Sequence, residues 1–175
     1  MAPLSPTPLQ SALASAPDRA TQTLSRPEQE FFCFRIGSLK MAFAASHVRE
    51  VVRFTPLTPL PRTPAFLLGV SGHRGEVLPV VDLLRFLGKG EAKIGPRSRL
   101  LIGISGTYVC AFAADQVAGL TRIAVADILP PPLGGDASQE HLDGVVAAAN
   151  EKDGALHLLN LPKLLQSIRA RVVVR

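Results

Sequence analysis

Between Phe31 and Leu159 the apolar residues come in short runs cut apart by turn-forming residues, and this punctuation restricts the chain to a fold of many short strands. FFCFRI alternates, with Phe32, Phe34 and Ile36 on one face of a strand and Phe31, Cys33 and Arg35 on the other. Gly37-Ser38 supplies a turn, and Leu39 to Ala44 returns as the second strand of a hairpin. Leu100 to Ile104, the Ser105-Gly106 turn and Thr107 to Ala113 repeat the pattern, and a strand from Val117 to Val125 contains Gly119. Val145 to Ala149 and Ala155 to Leu159 flank an Asp153-Gly154 hairpin signal. Turn signals at intervals of about 8 to 12 residues, with almost no long helix, give an all-β barrel class.

The most informative stretch is Thr63 to Gly88. Pro64 to Leu68 reads as a short apolar turn of helix, Gly69 to Gly72 enters a strand, and Val77 to Val81 forms the next one. Gly72-His73-Arg74-Gly75 supplies the glycines that a tight reversal needs. Leu83 to Leu87 is a helical turn closed by Gly88. Pro79 is expected at an edge or bulge, since it cannot donate a ladder hydrogen bond. Arg74 is one charge between glycines on the most apolar segment of the chain, placed for display to a partner.

This stretch resembles the signature of the CheW family of chemotaxis coupling proteins, GV-x-x-x-RG-x-V-x-PV-x-DL with a closing LG. The matching residues are Gly69-Val70, Arg74-Gly75, Val77, Pro79-Val80, Asp82-Leu83 and Leu87-Gly88. The family commonly carries Asn-Leu where this chain has Gly72-His73. Val48-Arg49-Glu50-Val51 is similar to the family's V-x-E-V/I. The ending, from Gly144-Val145 through Gly154, Leu156, Leu158, Leu159 and Leu161 to Lys163-Leu164-Leu165, is similar as well, with Asn160 where the family often has Asp. The resemblance spans about residues 30–168. It implies two SH3-like five-stranded β-barrels sharing a core, with short helices, and a non-catalytic adaptor that couples methyl-accepting chemoreceptors to the regulatory domain of a CheA-type histidine kinase. It also implies that Glu50 lies close to Arg74, and that Val48, Glu50, Gly69, Arg74 and Gly75 form the receptor-facing region; the kinase-facing residues are left unassigned. From the residues alone, Glu50 is an exposed acid beside Arg49 and Arg53, and Arg74 an ion-pair partner of Asp82 or Glu50.

The order of elements suggests sub-barrels over residues 30–92 and 93–168, after an N-terminal arm and before a basic tail. Residues 1–29 hold Pro3, Pro6, Pro8, Pro17 and Pro27 and too few leucines for a core face, so they read as a flexible arm with a partner-binding peptide near Leu9 to Leu13 as the lesser alternative. Ser46 offers an N-cap for a helical turn in which Val48, Val51 and Val52 share a face. Thr55 to Pro64, with four prolines, is an extended connector, and residues 133–141 are a surface loop. Leu161 to Ile168 is a short closing helix, and the tail, residues 169–175, is a last strand or a loose end.

A net charge of +5 permits binding to nucleic acid or an acidic surface, and a basic barrel that binds nucleic acid is the competing class, but a solvated basic surface is the reading adopted. With aromatics at 5%, no Trp and scattered basic residues, no nucleic-acid partner is expected. A CheW-like protein of a divergent pathway, binding one partner only, is the third alternative. Cys33 and Cys110 read as buried small hydrophobes of a reducing compartment, with a bridge between them left open. No apolar run reaches the ~18 residues of a membrane span, and the start lacks a secretory pattern, so a cytoplasmic location without membrane insertion is expected. His47, His73, His141 and His157 lack metal-ligand spacing. Lys89-Gly90 lacks the rest of a phosphate loop, and no nucleophile signature occurs. His73, Glu76 and Asp82 read as a solvated hairpin face rather than an acid–base cluster. No cofactor, metal or catalytic residue is therefore expected.

Overall fold

The computed structural model describes residues 26–134, 137–148 and 154–173. They form strands β1 (Glu28–Ile36), β2 (Leu39–Ala44), β3 (Val48–Arg53), β4 (Leu67–His73), β5 (Glu76–Val81), β6 (Arg99–Ser105), β7 (Tyr108–Ala114), β8 (Gln116–Ala124), β9 (Ile128–Leu129), β10 (Leu142–Val146) and β11 (Leu156–Leu159). Helix α1 is Leu83–Phe86 and helix α2 is Leu161–Val173. The strands make two sheets, ordered β8-β1-β2-β11-β10-β9 and β3-β6-β7-β5-β4. The all-β, two-barrel class expected from the sequence is what the chain adopts, with six strands in one sheet instead of five.

The division of the chain differs from the expected split at residue 92. The five-stranded sheet is one continuous insertion, β3 to β7, between β2 and β8 of the six-stranded sheet. The insertion is closed off by long-range pairings: β1 with β8, antiparallel, and β2 with β11, parallel, with Ala42 opposite Leu158. Alternation tells which side of a strand is apolar but not which edge its neighbour will take.

Each sheet wraps its own interior. Leu78, Val80, Leu100, Ile102, Ala111 and Ala113 fill the five-stranded one, and Phe31, Cys33, Ala42, Ile123 and Leu158 the six-stranded one. A larger shared core lies between them. There Phe43 of β2 packs against Phe34 at 5.0 Å and against Phe112 of β7 at 5.2 Å, joining the sheets through aromatic contacts. Helix α2 covers this core at Gly103, where a Cβ would lie 2.7 Å from Leu161 and 3.1 Å from Phe112.

Several local expectations are corrected. Val48 to Arg53 is a strand, not a helical turn; only Ala45–His47 is helical, as one 3-10 turn. A bulge between Val48 and Glu50 resets the alternation, so Val48 and Val51 both face the shared core while Val52 packs inside the barrel. The helical spacing of these valines arises from that bulge. Pro64 to Phe66 is a turn closed by Leu67 N–H donating to Pro64 O at 2.9 Å, and β4 starts at once. Strand β1 starts at Glu28 rather than Phe31, so Glu28 and Gln29 leave the predicted arm. The outer residues Glu28–Glu30 pair with Ala124–Arg122, and Arg122 Nε donates to Glu30 at 3.0 Å. Residues 1–25, including Leu9 to Leu13, lie outside the described residues.

Pro79 lies on the interior strand β5 rather than an edge. Its opposite number, Val70, spends its N–H and C=O on Thr58, away from β5, so this pair needs no hydrogen bond from Pro79. On the other side, pairing with β7 begins only at Val80. The predicted basic tail is helical through Val173, with residues 174–175 outside the described set. Arg169 stacks on Tyr108 and Arg171 on Phe86, at 4.6 and 4.4 Å from the ring centroids, so these cations fasten the helix to the barrels. The loop before β10 ends at a buried His141, edge-on to Phe86, rather than at the surface.

Asp82 is buried, not part of a solvated face. One carboxylate oxygen accepts from the N–H groups of Leu84 and Arg85, capping α1, and the other accepts from Ala92 N–H at 2.9 Å. Asp82→Ala is expected to lower stability by about 2 kcal/mol or more, from the lost cap and the stranded donors. Chemical denaturation against the parent chain checks this.

Candidate functional site

The hairpin β4–β5 ends in a two-residue turn at Arg74-Gly75, with φ +48° and +83°. Positive φ at both central residues is the turn whose twist matches the flanking strands, and Gly75 meets its demand without strain. Gly72 keeps an ordinary strand conformation and is not used for the reversal. Arg74 occupies the other left-handed position, at a cost of about 1–2 kcal/mol for a residue with a Cβ.

Arg74 is largely exposed, and its Nη2 lies 3.2 Å from Glu50 Oε2. Glu50 is on β3, at the opposite edge of the five-stranded sheet from β4. Its other oxygen, Oε1, is 2.8 Å from His73 Nε2, and Arg49 Nη2 donates to Glu76 Oε2 at 2.6 Å. The two edges of the sheet are thus tied side chain to side chain where the barrel closes. The hydrogen bond from His73 holds the Glu50 carboxyl below its ordinary value; desolvation opposes this, and the charges of Arg74, His73 and Arg49 reinforce it. The Arg49 guanidinium is raised chiefly by its bond to Glu76.

A second feature is a cleft of about 860 Å³ between the sheets. It is lined by Val51, Phe34 and Val117, which pack with the shared core, and by Ile123, Val146 and Leu156, which pack with the interior of the six-stranded sheet. Cys33 also lines it. Cys33 and Cys110 are free and buried, and burial raises both thiols, that of Cys110 to about 12. These are the properties of packing cysteines. Among the described residues no cluster of His, Cys, Asp and Glu could hold a metal ion, and no helix is long and apolar enough to cross a membrane.

The CheW-like domain family matches residues 30–169. Protein FrzA of Myxococcus xanthus is 62% identical over 160 residues, covering 91% of this chain and 99% of that protein. Chemotaxis protein CheW of Rhizobium meliloti is 32% identical over 129 residues, covering 73% of this chain and 83% of that protein. The chain belongs to the CheW-like family. The crystal structure of the scaffolding protein TtCheW from Thermoanaerobacter tengcongensis shares the fold, with a TM-score of 0.69 over 77% of this chain and 86% of that one, at 24% identity.

Placed on this CheW-like fold, the five residues singled out from the sequence separate. Glu50, Arg74 and Gly75 come together at the barrel closure, and Arg74 pairs with Glu50, not with Asp82 at the far end of β5. Val48 is half-buried against the shared core. Gly69, at φ +144°, is buried, and a Cβ there would lie 2.5 Å from Thr58 O. It serves the close approach of the chain's own connector, not of a partner. Sequence reasoning missed His73, Arg49 and Glu76 as members of the cluster; the departure from Asn-Leu at Gly72-His73 was the signal for the first.

Two outcomes follow. Asn is the residue this turn prefers before Gly, so Arg74→Asn is expected to raise stability by about 1 kcal/mol in chemical denaturation. A carboxylate lowered in the folded state contributes stability that is complete above a glutamate's ordinary 4.5 and is lost as pH falls through its lower folded value. Glu50→Gln should therefore destabilise the protein at pH 7, and the difference from the parent should shrink progressively as the pH is lowered below 4.5, as denaturant midpoints across a pH series would show.

Proposed function

We propose that this CheW-like chain is a non-catalytic adaptor that holds a methyl-accepting chemoreceptor tip and the regulatory domain of a CheA-type histidine kinase in fixed relation, in chemotaxis or motility signalling. Family membership and the similarity to proteins named for chemotaxis support the class of function. One observation carries the site: a strained, exposed arginine at a hairpin tip, anchored by a carboxylate from the opposite edge of the same sheet. An asparagine would suit the turn better, so the retained cation points to recognition rather than folding.

The receptor-facing surface in this reading is Arg74, Glu50 and Gly75, with Val51 leading into the neighbouring cleft. Val48 contributes by fixing β3 against the core. The receptor's tip helix runs along the cleft between the barrels, and a different apolar surface meets the kinase. Because the barrels share one core, a displacement of the receptor is passed to the kinase by a body that does not deform between them. The adaptor needs no turnover of its own.

Arg74→Ala is expected to weaken binding to a cognate receptor-tip fragment by roughly 1–3 kcal/mol, with secondary structure unchanged. Isothermal titration with that fragment, and circular dichroism of the variant, test it. Unchanged affinity would remove Arg74 from the receptor surface.

A further inference from the structure

Arg49, Glu50, His73, Arg74 and Glu76 meet where the five-stranded barrel closes, and their pairing is not the one that charge alone would choose. Arg49 and Arg74 both lie within reach of Glu50, at 3.9 and 3.2 Å. A guanidinium and a carboxylate favour two parallel hydrogen bonds, one to each oxygen. Glu50 does not make that fork. Its Oε1 is 2.8 Å from His73 Nε2, and only Oε2 is left for Arg74. An ionised carboxylate has no proton to give, so Nε2 is the donor. The same bond is the chief cause of the lowered Glu50 carboxyl. Arg49 is drawn off to Glu76 at 2.6 Å. Held by a single contact, the Arg74 side chain stays 76% exposed against 21% for the carboxylate that anchors it. Most of the donors of its guanidinium remain for a partner.

We infer that His73 is a positioning and specificity-determining residue of the receptor surface: by occupying one oxygen of Glu50 it restricts Arg74 to a single anchor and leaves the guanidinium free to meet the receptor tip. This rests on the adaptor reading and names what sets the geometry of its arginine. The register of β4 places the imidazole for the task. Ser71 and His73 share a face of the strand, and both line an opening of about 150 Å³ into the barrel interior beside Val52 of β3. Ser71 is the buried one; His73 is the outer one, at the level of Glu50. The leucine common in the family at this position has no hydrogen to donate. Without the imidazole, Glu50 takes Arg74 in a two-point fork, and the cation is spent inside the protein. A fork also holds the guanidinium in the plane of the carboxylate, so the direction of the remaining donors changes with it. A receptor fitted to an arginine beside leucine therefore meets a differently aimed cation on this chain.

The experiment titrates the full chain with a fragment of the cognate receptor tip. His73→Leu is expected to weaken binding about fivefold, within the range of one hydrogen bond. His73→Gln, whose amide nitrogen replaces Nε2 as the donor, should restore it to within about twofold of the parent. In an Arg74→Ala background His73→Leu should have no further effect, because it acts only through that arginine. A merely structural role predicts the opposite on both counts: glutamine no better than leucine, and a loss that persists without Arg74. A second readout needs no receptor. The rate at which phenylglyoxal modifies Arg74, followed by peptide mass spectrometry, should fall at least about twofold in His73→Leu as the guanidinium closes onto Glu50. If both His73 variants bind as the parent does while Arg74→Ala weakens binding, the positioning proposal fails and the adaptor reading stands. An unchanged or faster modification rate in His73→Leu also overturns it. If the parent binds no receptor tip, the adaptor reading fails, and the modification rates still decide whether His73 keeps Arg74 open.

Discussion

The contact of Phe43 with Phe112 fixes the relation of the two sheets, and every surface of functional interest depends on that relation. Phe43 belongs to the six-stranded sheet and Phe112 to the five-stranded one, and both are fully buried. Around them Ile36, Met41, Leu83, Leu101, Leu161 and Leu164 exclude water without a polar group to satisfy. Close-packed interiors of this kind have little freedom to shift. The cleft walled by Val51 on one sheet and Val117 on the other is consequently a rigid feature, as is the distance from Arg74 to any surface on the six-stranded barrel. A protein that works by holding partners apart at a set spacing needs such a centre more than it needs a reactive group.

The barrel closure follows a different principle. Sheet edges β3 and β4 meet with little backbone pairing to join them; the sheet is tied there by Glu50, His73 and Arg74, with Arg49 and Glu76 alongside. Exposed ion pairs of this sort add little to stability. Their presence at a strained turn makes more sense as a polar surface held in one geometry, Glu50 aiming the Arg74 guanidinium. Along the cleft, Arg35 stands opposite Lys40 and Arg99 opposite Arg53, like charges that cost the sheet some stability.

Much of the fold was legible because strand alternation and turn chemistry are local. The hairpins expected at 31–44 and 100–113, the two strands and closing helical turn of the motif segment, and the start of α2 stand within a few residues of where the pattern put them, though the helical turn expected at Pro64 to Leu68 does not. Where reading failed, something nonlocal had intervened. A bulge forced by pairing with β6 made the valines of β3 look helical. The N–H that Pro79 lacks is not needed because Val70 turns its own groups toward Thr58. Arg169 and Arg171 prolong the final helix because aromatic rings from β7 and α1 lie beneath them.

The sequence by itself determined the class of fold, the family, and the nearness of Glu50 to Arg74, the last through resemblance rather than through any spacing between residues so far apart in the chain. Only the tertiary structure decided that one barrel is inserted within the other, that Gly69 serves the fold, and that His73 holds the second oxygen of Glu50. Side-chain periodicity is written residue by residue; the choice of neighbouring strand, and of which charges share a surface, is made only when the separate apolar faces find a common core.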